Sequence, residues 1–206
     1  MIENTEMLRE QLLERNSKEA KKVASRRLSE SVTFREAAIT AAYYLTPQSY
    51  GKLLEKWIKK DFGLGDPLDS LSGDATSSTG APVEIKATIE KGGGEVNFVQ
   101  IRPHHNIEYY IFAAYSATLD EVRWIHIPSQ DLYSLLPEFG GYAHGTVKKN
   151  GKITTTSIEV NKDQECEYAL RPSLFTKNET KPTKPYRLWL KLQKYEKSKE
   201  EILRCL

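Results

Sequence analysis

The sequence predicts an α/β protein with helices packed on a mixed (α+β) sheet, and three observations support this prediction. Apolar residues recur at helical spacing over about residues 5–60, and short strand-like runs separated by turn residues follow from residue 66. The 206 residues are 39% apolar and 28% charged, which is typical of a globular chain with one substantial core. We therefore expect one compact unit with an N-terminal helical region (1–45), a catalytic core (46–140) and a C-terminal extension (141–206).

The first sixty residues contain the helical patterns. Residues 5–30 predict one or two helices with a break at Asn16, and residues 33–44 predict another. The clearest helix begins at Thr46, which is placed to cap it, with Pro47 in its first turn. Its apolar side chains repeat on one face before glycines end the run: Tyr50, Leu53, Leu54, Trp57 and Ile58.

Strand signals follow, beginning around a tight turn predicted at residues 77–80. The predicted strands cover residues 83–88, 97–101, 108–116 and 122–127. Residues 128–136 then predict a short helix. Beyond residue 140 the patterns are weaker: a hairpin turn at 148–152 inside an appended β element, a loop at 172–185, and an amphipathic C-terminal helix over 186–206.

The net charge of +2 is unevenly distributed along the chain. Residues 1–60 carry 12 Lys and Arg against 8 Asp and Glu, residues 61–144 carry 4 against 12, and residues 145–206 carry 14 against 8. An acidic middle between basic ends suits an enzyme that gathers carboxylates around a metal and holds a polyanion with its flanks. Ordinary variation of surface charge is the alternative explanation.

Membrane and export classes are not indicated. The chain has no apolar run of the ~20 residues that cross a bilayer, and its first residues lack the pattern of an export signal. Cys166 and Cys205 lie far apart without a CxxC neighbour, so we expect neither a zinc site nor a disulfide. The expectation is a cytoplasmic protein without a membrane partner.

The candidate catalytic residues lie in a segment that is expected to form a β-hairpin. Asp74 precedes Glu84 by ten residues, enough for a strand, a turn and a return strand that bring both carboxylates to one end of a sheet. Lys86 lies two residues after Glu84 and therefore on the same face of its strand. Carboxylate oxygens are the ligands that Mg²⁺ prefers, and a neighbouring lysine suits phosphodiester hydrolysis. Asp74 and Glu84 are thus the predicted Mg²⁺ ligands, with Asp69 as a substitute for Asp74.

An alternative stays open for Glu84 and Lys86, because an ExK tripeptide also occurs by chance on half-exposed strands. The surroundings favour the functional interpretation. They supply an upstream Asp after a glycine, a preceding long helix and a following buried strand.

The order of these elements resembles the core of the PD-(D/E)XK nuclease superfamily over about residues 47–127. A helix with an acid (Glu55) precedes a strand with an acid (Asp74) and a strand with ExK (Glu84, Lys86), and the family order continues with a helix and a strand. The resemblance implies that Asp74 and Glu84 bind Mg²⁺ and that Lys86 is catalytic. Gly73 stands where the family has a proline.

Glu55 matches a further acid that many family members carry on the first helix. The alternative for Glu55 is a solvated helix charge beside Lys52 and Lys59. Gln100 is predicted at the edge of the active site, where it positions a water or a phosphate.

Residues 97–112 are most similar to type II restriction endonucleases, which implies sequence-specific hydrolysis of double-stranded DNA. A homodimer is expected, because a palindromic site suits a two-fold pair of active sites. Predicted DNA contacts are the cationic and hydrogen-bonding side chains outside the catalytic set: Arg102, His104, His105, Asn106, Tyr142, His144, Lys148, Lys149, Asn150, Lys152, Arg171, Lys177, Asn178, Lys181 and Lys184. For any one of them, simple solvent exposure is the alternative. The side chains of the adjacent His104 and His105 are expected to point apart, which disfavours a shared metal.

Two other functions remain open. One is a structure-selective repair or recombination nuclease on the same core, and the other is a non-catalytic DNA-binding protein that keeps the fold. The Asp74, Glu84 and Lys86 set argues against the second.

Overall fold

The computed structural model describes residues 14–90, 92–143, 152–160, 162, 165–176 and 182–206. Within them the chain combines seven α-helices with a mixed sheet, so the predicted α/β class is confirmed. The predicted division into three regions remains a prediction. No helix of these residues has the length and apolar character needed to cross a membrane.

Three consecutive helices open the described chain: α1 (Lys18–Glu30), α2 (Phe34–Tyr44) and α3 (Pro47–Asp61). The break predicted at Asn16 is confirmed, since this residue has a left-handed backbone (φ 65°) and Ser17 caps α1. The part of the predicted first helix before residue 14 lies outside the described residues.

After these helices the described part of the chain contains seven strands: β1 (Ala75–Thr76), β2 (Pro82–Glu90), β3 (Phe98–Ile101), β4 (Tyr109–Ser116), β5 (Glu121–Pro128), β6 (Gly141–Tyr142) and β7 (Tyr168–Leu170). The main sheet has the order β1-β2-β4-β5, in which β1 and β2 are antiparallel, β2 and β4 parallel, and β4 and β5 antiparallel. The antiparallel hairpin predicted between Asp74 and Glu84 is therefore confirmed.

The remaining helices are α4 (Ser129–Phe139), α5 (Thr155–Val160), α6 (Lys184–Leu192) and α7 (Lys199–Cys205). The prediction of one continuous helix over residues 186–206 is wrong. α6 ends in a 3₁₀ turn at Gln193–Tyr195, and α7 begins with a capping box in which Ser198 and Glu201 satisfy each other's backbone N–H groups. These local hydrogen bonds start a new helix although the apolar spacing continues.

The connection from β2 to β4 also differs from the expected family order. Its described residues contain no helix; they form β3 and a turn in which the His105 N–H donates to the Arg102 carbonyl at 3.0 Å. Pro103 disfavours a helix here, and β3 instead joins β7 and β6 in a second, three-stranded sheet. The chain thus reaches the parallel strand β4 through a β element.

The main sheet separates two hydrophobic cores. On one side, alternate residues of β2 pack against apolar side chains of α2 and α3, such as Ala38 and Leu54. On the other side, Tyr110 and Phe112 of β4 pack against β3, α4, β7 and α6. Because side chains alternate along a strand, Glu84 and Lys86 fall on the second side of the sheet.

Candidate active site

Asp74 is placed by the glycine before it and by the edge of β2. Gly73 has φ +77°, and a Cβ there would lie 2.6 Å from the Val83 carbonyl oxygen, so only glycine fits. The Asp74 N–H donates to that carbonyl at 2.9 Å, and its Oδ2 accepts from the Ile85 N–H at 3.0 Å. The side-chain carboxylate thus continues the hydrogen bonding to β2 beyond the N-terminal end of β1.

Lys86 is held between the two carboxylates of the hairpin. Its Nζ donates to Glu84 Oε1 and lies 3.8 Å from Asp74 Oδ2. Glu84 is 2% exposed and Lys86 is 7% exposed. The interpretation of this pair as a half-exposed stripe is therefore wrong, because both charges lie inside the protein where only a partner compensates their lost hydration.

The charges around Lys86 determine its protonation. Burial disfavours the ammonium, but the negative charges of Glu84, Glu55 and Asp74 outweigh this effect and raise the pKa of Lys86 above its ordinary value. Burial raises the pKa of Glu84, while Lys86 acts in the opposite direction. Lys86 is thus a cation in this arrangement, and it neutralises part of an acidic cluster in which Glu84 is buried and Asp74 and Glu55 are partly exposed.

Glu55 on α3 completes this cluster. Burial raises its pKa to about 7, opposed by Lys86 and reinforced by Asp74 and Glu84. Glu55 is half-buried, and its charge interacts with those of Lys86, Asp74 and Glu84. Its interpretation as a solvated helix charge is therefore disfavoured. A carboxyl whose pKa lies near neutrality has the protonation behaviour that general acid–base catalysis requires.

A cleft of about 700 Å³ opens beside these residues, between α3, β2 and β3. Glu55 and Lys86 line it, together with the exposed Gln100. Gln100 has a left-handed backbone (φ 59°) at a register irregularity between β3 and β7. An unfavourable backbone held at a cleft is the kind of strain found at functional sites.

The turn after β3 places four other predicted residues. Arg102 forms an ion pair with Glu167 at 2.7 Å, so its charge has a protein partner. The expectation that His104 and His105 point apart is wrong: the tight turn brings their rings into edge-to-face contact with centroids 4.7 Å apart. Burial lowers the pKa of both histidines. Asn106 is exposed, and its N–H donates to the Leu71 carbonyl.

The predicted basic surface is only partly described. Arg171 lines the cleft and its Nε donates to Asn97 Oδ1 at 3.3 Å, whereas Tyr142 packs on Tyr168 and Lys152 is exposed. The exposed Lys184 lies in the first turn of α6. The other predicted contacts lie outside the described residues: His144, Lys148, Lys149, Asn150, Lys177, Asn178 and Lys181.

Asp69 does not substitute for Asp74. Its Oδ1 accepts from the Leu71 N–H and the Ser72 hydroxyl, so it stabilises a turn on the surface. These hydrogen bonds, with Ser72 first, lower the pKa of Asp69. Asp74 is the carboxylate that reaches Lys86.

Two tyrosines near Glu84 were not predicted. Tyr110 lies opposite Glu84 in the parallel register of β2 and β4, and its hydroxyl lies 3.1 Å from that of Tyr133. Burial raises the pKa of Tyr110 well above its ordinary value and that of Tyr133 to about 12. Both hydroxyls therefore stay protonated beside the acidic cluster. The apolar run of β4 gave no signal for this pairing, which depends on the strand register.

The oxygen donors of Asp74 and Glu84 suit a hard divalent cation, since both point toward one position, now taken by Lys86 Nζ. Among the residues that the structure describes, no three Asp, Glu, His or Cys side chains stand in metal-binding geometry. A cation would therefore compete with the ammonium, and the Lys86 side chain would have to turn aside. The residue types fit Mg²⁺ on this condition.

Comparison of the chain with known protein families and with curated proteins finds no match.

Proposed function

We propose that this chain is a Mg²⁺-dependent, sequence-specific DNA endonuclease of the type II restriction class, built on a PD-(D/E)XK core. The observation that carries the proposal is the convergence of the Asp74 and Glu84 carboxylates on Lys86, which lines a 700 Å³ cleft. Buried charges of this kind cost stability, so their presence beside a cleft favours a chemical role.

The order of elements gives further support. A helix with Glu55, an antiparallel hairpin with Asp74, Glu84 and Lys86, and a parallel strand follow one another as in the superfamily. The departure is the β connection between β2 and β4, where the family order has a helix. This departure lies outside the hairpin and leaves the candidate catalytic residues in place.

Hydrolysis of a phosphodiester adds a water oxygen to phosphorus and breaks a P–O bond, so a proton must leave the water and negative charge must be stabilised. Mg²⁺, held by Asp74 and Glu84, would supply Lewis-acid stabilisation of that charge. Lys86 is cationic and can stabilise a phosphate oxygen. Glu55, with a pKa of about 7, can accept the proton of the water.

Plasmid digestion with Mg²⁺ or with EDTA tests the proposal. We expect discrete fragments with Mg²⁺ and intact plasmid with EDTA. Lys86→Ala should reduce the cleavage rate by about 10²–10³-fold, because it removes a preorganised charge. Lys60→Ala, at an exposed lysine of the same protein, is the matched control and should cleave normally.

Other results would favour a different function or contradict the proposed one. Cleavage confined to branched DNA would favour a structure-selective repair nuclease over a restriction enzyme. Normal cleavage by Lys86→Ala would remove the mechanism, and DNA binding without any cleavage would favour a non-catalytic protein. Light scattering of the purified chain tests the expected homodimer, whose two-fold symmetry would match a palindromic site.

A further inference from the structure

The catalytic cleft continues into a second cleft. The second one, of about 400 Å³, is lined by β6, β7 and the start of α6, including Tyr142 and Lys184. Glu95 and Arg171 line both clefts, so the two spaces meet at this pair of side chains. Together they form a groove that leads from Glu55 and Lys86 to Lys184.

Three exposed cations lie along this groove. Lys52 lines it on α3, one turn before Glu55; Arg171 lies at the junction; and Lys184 lies at the far end. Within the described part of the chain none of the three forms an ion pair, whereas Arg102 on the neighbouring turn is paired with Glu167. Their positive charges are therefore available to a bound anion.

Arg171 is oriented for such a ligand. Its Nε donates to Asn97 Oδ1, and no hydrogen bond within the described residues uses its two terminal amino groups. A guanidinium held at Nε presents these two groups as a planar fork, which matches two oxygens of a phosphate. Asn97 thus acts as a positioning residue for Arg171.

We infer that this groove carries the sugar–phosphate backbone of one DNA strand away from the active site, with Arg171 as its central phosphate contact and Lys52 and Lys184 as outer contacts. The inference rests on the proposed nuclease function, and it adds the path and direction of the substrate. It also assigns an opposite role to Glu95, whose charge at the junction weakens binding of a polyanion.

Binding of a short fluorescein-labelled DNA duplex in EDTA, measured by fluorescence anisotropy over a range of salt concentrations, tests the groove. Arg171→Ala and Lys184→Ala should each reduce the slope of log K against log salt by about 0.9, which is the value for one lost phosphate contact. Arg171→Lys should keep the slope and weaken binding, because it keeps the charge and loses the fork. Glu95→Gln should tighten binding.

Asn97→Ala tests the orientation of the Arg171 guanidinium while its positive charge is kept. This variant should weaken DNA binding as Arg171→Lys does. Lys60→Ala is again the control, since this exposed lysine of α3 lines neither cleft. All substituted residues are exposed, so unchanged melting temperatures are expected.

The possible outcomes separate this inference from the proposed function. If the unsubstituted protein cleaves plasmid but Arg171→Ala and Lys184→Ala bind DNA like Lys60→Ala, the inferred DNA path is wrong and the proposed nuclease function stands. Weaker binding by Glu95→Gln would also overturn the groove. If the variants change binding as expected but no DNA is cleaved, the proposed nuclease function is wrong and the inferred DNA path stands. If the unsubstituted protein does not bind DNA, both proposals are wrong.

Discussion

The two faces of β2 bury their side chains almost equally but with opposite chemistry. Val83 and Ile85 on one face are fully buried against the helices. Glu84, Lys86 and Glu90 on the other face are also nearly fully buried. Burial of the apolar face stabilises the fold by about 25 cal/mol per Å², whereas burial of the charged face costs hydration that the ion pair only partly offsets. Stability therefore depends on one face and the proposed chemistry on the other.

The charged face itself contains a second contrast. Glu90 accepts hydrogen bonds from the Ser116 hydroxyl and from the N–H groups of Gly92 and Gly94. These neutral donors make Glu90 a structural group that closes the glycine loop at the cleft. Glu84 instead has the Lys86 ammonium as its partner, which the proposed Mg²⁺ would have to replace.

The largest expected effect comes from exchanging the charged pair for apolar residues. Glu84→Leu with Lys86→Met should leave the free energy of unfolding unchanged or raise it by about 1–4 kcal/mol, because buried ion pairs are often replaced at no cost. Cleavage should fall by about 10³-fold or more. Denaturant unfolding and plasmid digestion measure the two quantities.

Ile85→Ala on the opposite face is the matched variant. It should lower the free energy of unfolding by about 2–5 kcal/mol and retain cleavage where the protein remains folded. If the double variant lost stability and Ile85→Ala lost only activity, the proposed division between the two faces would be wrong.

Glu55 should make stability depend on pH in an intermediate range. Its pKa in the folded protein is about 7 against an ordinary value of 4.5, so the folded state binds more protons than the unfolded state between these values. The free energy of unfolding should therefore decrease as the pH rises from about 4.5 to about 7, and Glu55→Gln should remove about 1–3 kcal/mol of this decrease. Thermal melts at pH 5 and pH 8 measure the effect.

In these melts, Glu55→Gln should gain most over the unsubstituted protein at pH 8. The exposed Glu19→Gln serves as the control. An advantage of Glu55→Gln that is larger at pH 5 than at pH 8 would contradict a raised pKa of Glu55.

Substitution of Gln100 should have the smallest effect on the free energy of unfolding, at most about 1 kcal/mol. Its left-handed backbone is unfavourable for any side chain, so Gln100→Gly should be as stable as the unsubstituted protein or about 0.5–1 kcal/mol more stable. Val99 lies in the same strand but has no positive φ, so Val99→Gly should lower the free energy of unfolding by about 0.5–1 kcal/mol. Cleavage should decrease in Gln100→Gly if the side chain contacts the substrate, and Gln100→Ala should show the same decrease without the gain in stability.

Local patterns predicted many elements of the fold correctly. The helix that begins after Thr46, the hairpin between Asp74 and Glu84, and the shared face of Glu84 and Lys86 depend on spacings of a few residues. Such spacings translate directly into strand and helix faces. The C-terminal helix was predicted too long because apolar spacing does not reveal the capping box at Ser198.

The candidate site was predicted in part. Glu84 and Lys86 were predicted together because they lie on one strand, whereas the burial of Glu55 and its high pKa depend on how α3 packs on the sheet. The contact of the His104 and His105 rings depends on a turn that looked extended in the sequence.

The sequence by itself determined the residue types of the site and the faces on which neighbouring side chains lie, because helix and strand periods act over short distances. Only the tertiary structure decided the position of Tyr110 opposite Glu84 and the hydrogen bond between Arg171 and Asn97, which are 74 residues apart. Strand register and packing are set by the whole core, so no local spacing encodes them. The alternation of side chains along β2 predicts which residues share a face. The elements that pack on each face determine that the charges of Glu84 and Lys86 are buried.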